Sequence, residues 1–360
     1  MDRAAASTTG PGTATLSDRL GSASSRIEDY ALIGDCHSAA LVSRAGSIDW
    51  LCWPRFDSGA VFAALLGGPE HGRWSIAPED PSPRVQRRYR DGTLILETEY
   101  ETQDGGVTLV DFMPLQGGRP DLVRLVIGRH GQVAMHAELV MRFDYGVTAP
   151  WVTRLEDGRG LRAVAGPDMV VLRTGAPLKG EDLRTVSNFT VQAGETVAFT
   201  LSHGASHLEP PSALEPMQAL AETERAWRQW SSRCQYEGEW SAAVLGSHIV
   251  LKALTYAPTG GIVAAPTTSL PEKIGGPRNW DYRYCWLRDA TFALLSLVNA
   301  GYLDEARAWR EWLLRAIAGT PAQAQIMYRT GASRLLPAPT VAWLPALVPL
   351  PPPPLPHPPP

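Results

Sequence analysis

Acidic residues run out early in this 360-residue chain: no Asp or Glu follows Glu311. Chemistry that needs a pair of carboxylates therefore has to find them upstream of that point. Cysteine is scarce as well. Cys36, Cys52, Cys234 and Cys285 stand far apart, with no CxxC spacing and no nearby pair of histidines. That pattern argues against both a zinc site and a disulfide framework, and fits reduced thiols in a cytoplasm. No run of about 18 apolar residues occurs, so a membrane-spanning helix is not expected. A net charge of -4 without any Lys/Arg cluster leaves no basic field for nucleic acid. Residues 1–26 are rich in Ala, Ser, Thr and Gly but lack the apolar core of a signal peptide, and read as a disordered leader.

What remains is the composition of a globular protein, 44% hydrophobic and 19% charged, long enough for two domains. Twelve tryptophans are many for this length. Indole faces stack on the CH faces of sugars, but most tryptophans anywhere are packing residues, so composition alone decides nothing.

The texture changes once along the chain. Residues 93–100, 107–113, 122–127, 133–143, 169–173 and 189–201 are short, β-rich runs separated by Gly, Asp or Pro, the pattern of an antiparallel sandwich. Gln103-Asp104-Gly105-Gly106 reads as a hairpin turn, because Asp and Gly tolerate positive φ. After residues 202–211 the spacing becomes helical, with Leu220, Thr223, Trp227 and Trp230 on one face. Further helices are expected over 241–256, apolar around much of its circumference and so packed on more than one side, and over 288–300 and 304–318. The last carries Ala306, Trp309, Leu313 and Ala316 in a stripe. Gly301 and Gly319 are placed to end the last two helices. From Pro337 onward, twelve of twenty-four residues are proline, which propagates neither helix nor sheet. This stretch is expected to be extended or disordered: an SH3-type ligand, a linker, or the product of a frameshift after Met327.

Between the second and third helices lies a long polar and aromatic loop. It runs through Pro266, Thr267 and Glu272 to Asn279-Trp280-Asp281-Tyr282-Arg283-Tyr284-Cys285-Trp286-Leu287-Arg288-Asp289-Ala290. Arg and Asp supply donors and acceptors for vicinal hydroxyls, and Trp and Tyr supply a flat apolar wall. Residue chemistry alone leaves a second reading open, in which Asp289 complements the start of a helix, Arg288 pairs with a carboxylate and the aromatics fill a core. Near the N-terminus, Asp35, His37, Asp49 and Asp57 suggest either a metal or acid/base group, or turns in which Asp bonds its own backbone. The turn reading outweighs the other, and His37 has no second His beside it.

The twelve-residue string 279–290 closely resembles the hallmark of the bacterial glucoamylase and trehalase-like glycosidases of glycoside hydrolase family 15. Ile27-Glu28-Asp29-Tyr30, Ile33-Gly34-Asp35, Gly46-Ser47-Ile48-Asp49-Trp50-Leu51-Cys52-Trp53-Pro54 and Arg55-Phe56-Asp57-Ser58 resemble the opening of that family's trehalase-like N-terminal domain. The resemblance spans roughly residues 27–328. It implies a multidomain chain, β then α: a β-sandwich over 27–205, then over 206–328 the first helices of an incomplete (α/α)6 barrel, then a proline-rich tail over 329–360.

It also implies that Arg288 and Asp289 bind the hydroxyls of a terminal glucose, with Tyr282 and Trp286 forming the aromatic wall. Trp280 and Asp281 would support the loop. The substrate would be a small α-glucoside such as trehalose or a short α-glucan, and no cofactor or metal is expected. Such enzymes invert with two carboxylates about 6.5–9.5 Å apart. In the family these are two glutamates downstream of the hallmark, in a region where this chain has none. Glu272 is the best upstream substitute, yet its neighbours Pro271 and Lys273 suggest a surface turn, and one acid cannot act as both donor and base. The expectation is a glycosidase by descent with little activity in this chain; the alternative is a non-catalytic carbohydrate-binding or interaction module.

Overall fold

The computed structural model describes residues 25–115, 118–269, 272–273 and 278–336. The expected leader, almost entirely, and residues 337–360 of the tail expected over 329–360 lie outside the described residues, whereas residues 329–336 are described, with Thr330 buried and Arg329 paired with Asp57. Fifteen strands fill the first part: β1 (Ala31–Gly34), β2 (Ala39–Val42), β3 (Ser47–Cys52), β4 (Ala60–Phe62), β5 (Arg73–Pro78), β6 (Arg84–Tyr89), β7 (Leu96–Glu101) and β8 (Gly105–Phe112) come first. After them follow β9 (Asp121–Val140), β10 (Trp151–Arg154), β11 (Gly160–Ala165), β12 (Asp168–Thr174), β13 (Lys179–Glu181), β14 (Arg184–Gln192) and β15 (Thr196–Ala205). All pair antiparallel.

The two layers meet in β9. Its first half pairs with β8 and β15, its second half with β5 and β14. Between the layers lie Trp74, Ile76, Leu109, Val126, Phe199 and Leu201, all buried. At roughly 1.5–3 kcal/mol for each large side chain removed from water, this core dominates the stability of the β part.

The sequence reading divides β9 into two strands. Gly128-Arg129-His130-Gly131 carries turn-like residues, and Gly131 does adopt φ +61°, but the chain bends and changes partners instead of reversing. Conversely, the single run expected over 189–201 is two strands, reversed at Ala193-Gly194 where Gly194 has φ +83°. β1 to β4 escape a period-2 reading because they are buried along nearly their whole length, whereas β5 does alternate and is missed by the sequence reading. The hairpin at residues 103–106 forms as expected, for a different reason: none of the four has positive φ, but a Cβ at Gly105 would collide with the backbone of residues 130–132 on β9.

Four α-helices follow: α1 (Pro216–Ser231), α2 (Ser241–Ala253), α3 (Leu287–Asn299) and α4 (Leu303–Ala316). Pro216 starts α1 with φ already set for a helix, and Asp304 and Glu305 occupy the first turn of α4. Gly301, at φ +89°, ends α3. The expected stripe of α1 is buried throughout: Leu220 packs on the sandwich with Ile95, Phe112 and Leu125, while Trp227 and Trp230 join the helical core with Tyr302 and Trp309. Trp230 stacks flat on Tyr302 at 4.1 Å and donates its indole N–H to Glu305 at 2.7 Å. Lys252 of α2 reaches the same carboxylate oxygen at 3.0 Å, so one buried acid ties α1, α2 and α4 together. Burial pushes the Glu305 carboxyl up, but Lys252 and the Trp230 N–H outweigh it and hold the group below its ordinary value.

α2 departs from expectation. Only its C-terminal half, with His248, Ile249 and Ala253, is buried, and the first turns are solvent-facing among the described residues. Phe292 and Leu295 on α3 are likewise exposed, at 69% and 57%. Among the described residues no neighbour covers these two side chains.

The helices and the sandwich share a second core. Cys36, Ala39, Phe56 and Leu94 from the β part pack with Ile262, Cys285, Leu297 and Trp312. All four cysteines are free. Among the described residues, no helix is long and apolar enough to cross a membrane.

Candidate carbohydrate site

The long loop before α3 is not irregular. Residues 264–269 run back along residues 280–284: Ala264 N–H donates to the Tyr284 carbonyl at 3.1 Å, Ala265 to Tyr282 at 2.9 Å, and Ser269 to Trp280 at 2.7 Å. Cys285–Trp286 then pairs with Met327–Tyr328 as a two-stranded ribbon, β16 and β17, and the chain turns directly into α3. A buried backbone must satisfy its polar groups, and this ladder does so for a segment with neither helix nor sheet periodicity.

One side of the ladder is aromatic. Trp286 is buried and packs edge-to-face with Tyr282, ring centroids 5.5 Å apart, and with Trp280 at 6.2 Å. The Trp286 indole N–H is spent on the carbonyl of Asp281 at 2.9 Å, which fixes the ring and leaves its surface apolar. Tyr284 and Met327 close the cluster from behind.

Arg288 and Asp289 stand in the first turn of α3, beside this wall. Their side chains form an ion pair at 3.1 Å, and the Arg288 guanidinium carbon lies 5.8 Å from the centre of the Trp286 ring. Arg288 is 65% and Asp289 32% exposed, so neither plugs the interior. The Asp289 carboxylate, with its hydrogen bond, raises the Arg288 pKa. Tyr282, Trp286, Arg288 and Asp289 are thus brought together, an exposed donor-acceptor pair on the rim of an apolar plane. The cavities of about 500 and 710 Å³ lie elsewhere, lined by residues of the sandwich and the segment joining it to α1.

The residue that holds the loop in place was not singled out from sequence. Arg283 is 5% exposed, and its guanidinium pairs with Asp281 at 2.6 Å while donating to the Ser58 carbonyl at 2.9 Å and to Cys52 Sγ at 3.3 Å. It also faces the Tyr145 ring at 5.3 Å. Trp50 adds a bond from its indole N–H to the Pro266 carbonyl at 2.7 Å, and Arg329 reaches the buried Asp57 at 2.8 Å. The β part therefore grips the loop through Arg283 and Pro266, and the segment after β17 through Arg329. Nothing in local spacing links residue 52 or 58 to residue 283, so only their shared occurrence in motif-like strings hinted at it.

The N-terminal acids are occupied by framework contacts. Asp35 accepts the backbone N–H groups of His37 and Ser38, each at 2.8 Å, as its own turn requires. Burial nevertheless pushes its carboxyl up to about 6. Asp49 does not bond its own backbone, contrary to expectation: it accepts from the Tyr30 hydroxyl at 2.7 Å and from the Ser47 hydroxyl, because β3 is already committed to its sheet. Asp57 is shared by Arg55 and Arg329. Among the described residues no group of three or more metal-ligating side chains converges. Glu272 is exposed, bonded to the indole N–H of Trp280 at 3.2 Å and close to Arg278.

The family described as "Trehalase-like, N-terminal" matches residues 18–227, and "Glycosyl hydrolases family 15" matches 239–337. A trehalase of Mycolicibacterium smegmatis is 35% identical over 343 residues, covering 86% of this chain and 50% of its own length. One from Thermoplasma volcanium is 33% identical over 288 residues, 78% of this chain and 46% of its own. The chain thus spans about half the length of the curated relatives it matches. The structure of a bacterial glucoamylase complexed with acarbose superposes with a TM-score of 0.61 at 13% identity, covering 92% of this chain and 55% of that one, which establishes likeness of fold. With a trehalase-like match over more than half of its residues followed directly by the second match, the chain belongs to the glycosyl hydrolases of family 15.

Proposed function

We propose that this chain carries the sugar-binding wall of a glycosidase for α-linked glucosides, with Arg288 and Asp289 bonding the hydroxyls of a terminal glucose over Tyr282 and Trp286. The observation that carries the reading is the exposed ion pair beside a ring whose N–H is already satisfied. A sugar placed there would stack on the half-buried Tyr282, whose ring the buried Trp286 sets from beside it, while its hydroxyls meet one donor fork and one acceptor. The relatives' names favour trehalose over maltose-type substrates.

The units we propose are 27–205 for the β part and 206–328 for the helical part. Hydrolysis with inversion asks for an acid and a base on opposite faces of the bond, about 6.5–9.5 Å apart. The acids near the wall are engaged: Asp281 with Arg283, Asp289 with Arg288, and Glu272 with the Trp280 indole N–H and Arg278. We therefore infer that this chain binds its sugar without turning it over. Titration with trehalose and with maltose, followed by tryptophan fluorescence, should saturate. Arg288→Ala should weaken the affinity about 10- to 100-fold, a loss of roughly 1.5–3 kcal/mol, at unchanged melting temperature. Absence of saturable binding defeats the site assignment, and sustained glucose release defeats the claim of binding without turnover.

A further inference from the structure

Away from the aromatic wall, β10 is one of several edge strands of the sandwich, and it is exposed along its whole length. β10 pairs only with β11, and all four of its residues are exposed. Leu155 N–H donates to Gly160 carbonyl at the hairpin, so by the alternation of an antiparallel ladder Val152 and Arg154 point their backbone N–H and C=O away from β11. No backbone partner outside that ladder meets them among the described residues. The free edge borders a groove of about 500 Å³ whose far wall is the β13–β14 hairpin.

Two features of the groove point to what it accepts. Arg142 and Arg154 line it without a carboxylate partner among the described residues; they donate only to carbonyls, Arg142 to Leu183 at 3.1 Å and Arg154 to Leu178 at 3.0 Å. Lys179 pairs with Glu181, and Arg184 with Glu138 and Asp182, so Arg142 and Arg154 are the groove-lining cations without a carboxylate partner among the described residues. The turn of the facing hairpin is strained: Asp182 and Leu183 sit at φ +45° and +60°, where Asn-Gly is the easy choice. Leu183, which lines the groove, is nonetheless a bulky apolar residue, 76% exposed, and Trp151 on β10, outside the groove lining, is 85% exposed. A disfavoured backbone that holds an apolar side chain in water is a reason to look for what covers it.

We propose that this edge is a docking site for an extended acidic segment of a partner protein. The segment would add a strand to β10, bond Val152 and Arg154 through its backbone, place its carboxylates on Arg142 and Arg154, and cover Trp151 and Leu183. The test uses fluorescein-labelled octapeptides, one alternating glutamate and valine and one alternating lysine and valine, with anisotropy as the readout. The glutamate peptide should bind saturably, and at least tenfold more tightly than the lysine peptide. The double variant Arg142→Gln/Arg154→Gln should weaken it at least tenfold, and Val152→Pro, which removes an N–H that the β10–β11 ladder does not use, should do the same. Trp151→Ala, too exposed to disturb folding, should weaken it several-fold. No binding, equal binding of the two peptides, or affinity unchanged in these variants overturns the proposal. So does self-association that Val152→Pro abolishes, which would make the occupant a second copy. Trp151-dependent binding of maltoheptaose in place of the peptide would assign the groove to glycan.

Discussion

Replacing Arg283 with Met tests whether the β part really holds the aromatic loop. The guanidinium is buried and makes its contacts at 2.6 Å to Asp281, 2.9 Å to Ser58 and 3.3 Å to Cys52. Methionine fills most of the volume, so what is lost is charge and hydrogen bonding more than packing. Breaking a buried ion pair from one side costs roughly 3–5 kcal/mol, since the abandoned partner stays desolvated. Here the Asp281 side chain is 19% exposed and keeps the Arg283 backbone N–H at 3.0 Å, which places the loss at the low end, about 3 kcal/mol. Removing both charges in Asp281→Asn/Arg283→Met leaves no orphaned carboxylate, so the double variant should lose less than the two single losses added, with a coupling of about 2 kcal/mol. Urea unfolding monitored by tryptophan fluorescence measures all three. A loss below about 1 kcal/mol for Arg283→Met, or strict additivity in the cycle, would show that the loop is held by its own ladder and not by the β part. Saccharide affinity should fall with Arg283→Met although the side chain does not reach the wall.

Three other outcomes follow from the geometry. Asp35 has a folded-state pKa raised by burial to about 6, so its stabilising effect is full below its ordinary value and is lost as pH rises through about 6; Asp35→Asn, which keeps the acceptor for His37 and Ser38, should gain about 2–3 kcal/mol at pH 7 and flatten the stability profile between pH 4 and 6. Glu305 is shifted the other way, so its contribution is present above the ordinary carboxylate range and lost as pH falls below it; Glu305→Gln should cost roughly 1–3 kcal/mol at neutral pH and remove part of the acid sensitivity in thermal melts. Gly46 has φ +80°, and an added Cβ would run into the Ile76 carbonyl and the Tyr100 hydroxyl; Gly46→Ala should cost about 3 kcal/mol in urea unfolding, and an unchanged midpoint would refute the close approach.

The helices were the most legible part, because α1 and α4 each need one apolar face and therefore repeat at 3.6 residues. Trp227, Trp230 and Trp309 point where that period puts them, while α4 buries Glu305 and Trp312 and leaves the expected Ala306 and Leu313 only half-buried. The strands were half legible. β8, β12 and the halves of β9 stand out as apolar β-rich runs between turn residues, while β1 to β4 are covered on both sides and show no alternation to read. The sugar wall was visible only as residue types in a motif. That Trp286 spends its N–H on Asp281, and that Arg288 lies over its ring, are consequences of a ladder between residues 264–269 and 280–284 that has no periodic signature.

By itself the sequence determined the two textures of the chain, where one gives way to the other, and which short string bears the donor, acceptor and aromatic groups. These are local properties, set by side-chain period, turn chemistry and residue type over a dozen positions. Only the tertiary structure decided that β9 serves both layers and that a buried arginine reaches across more than 220 residues to Ser58 and Cys52. It alone left β10 without a second neighbour. Those outcomes depend on which distant surfaces meet, and the free energy of such a meeting resides in the pair and in neither segment alone.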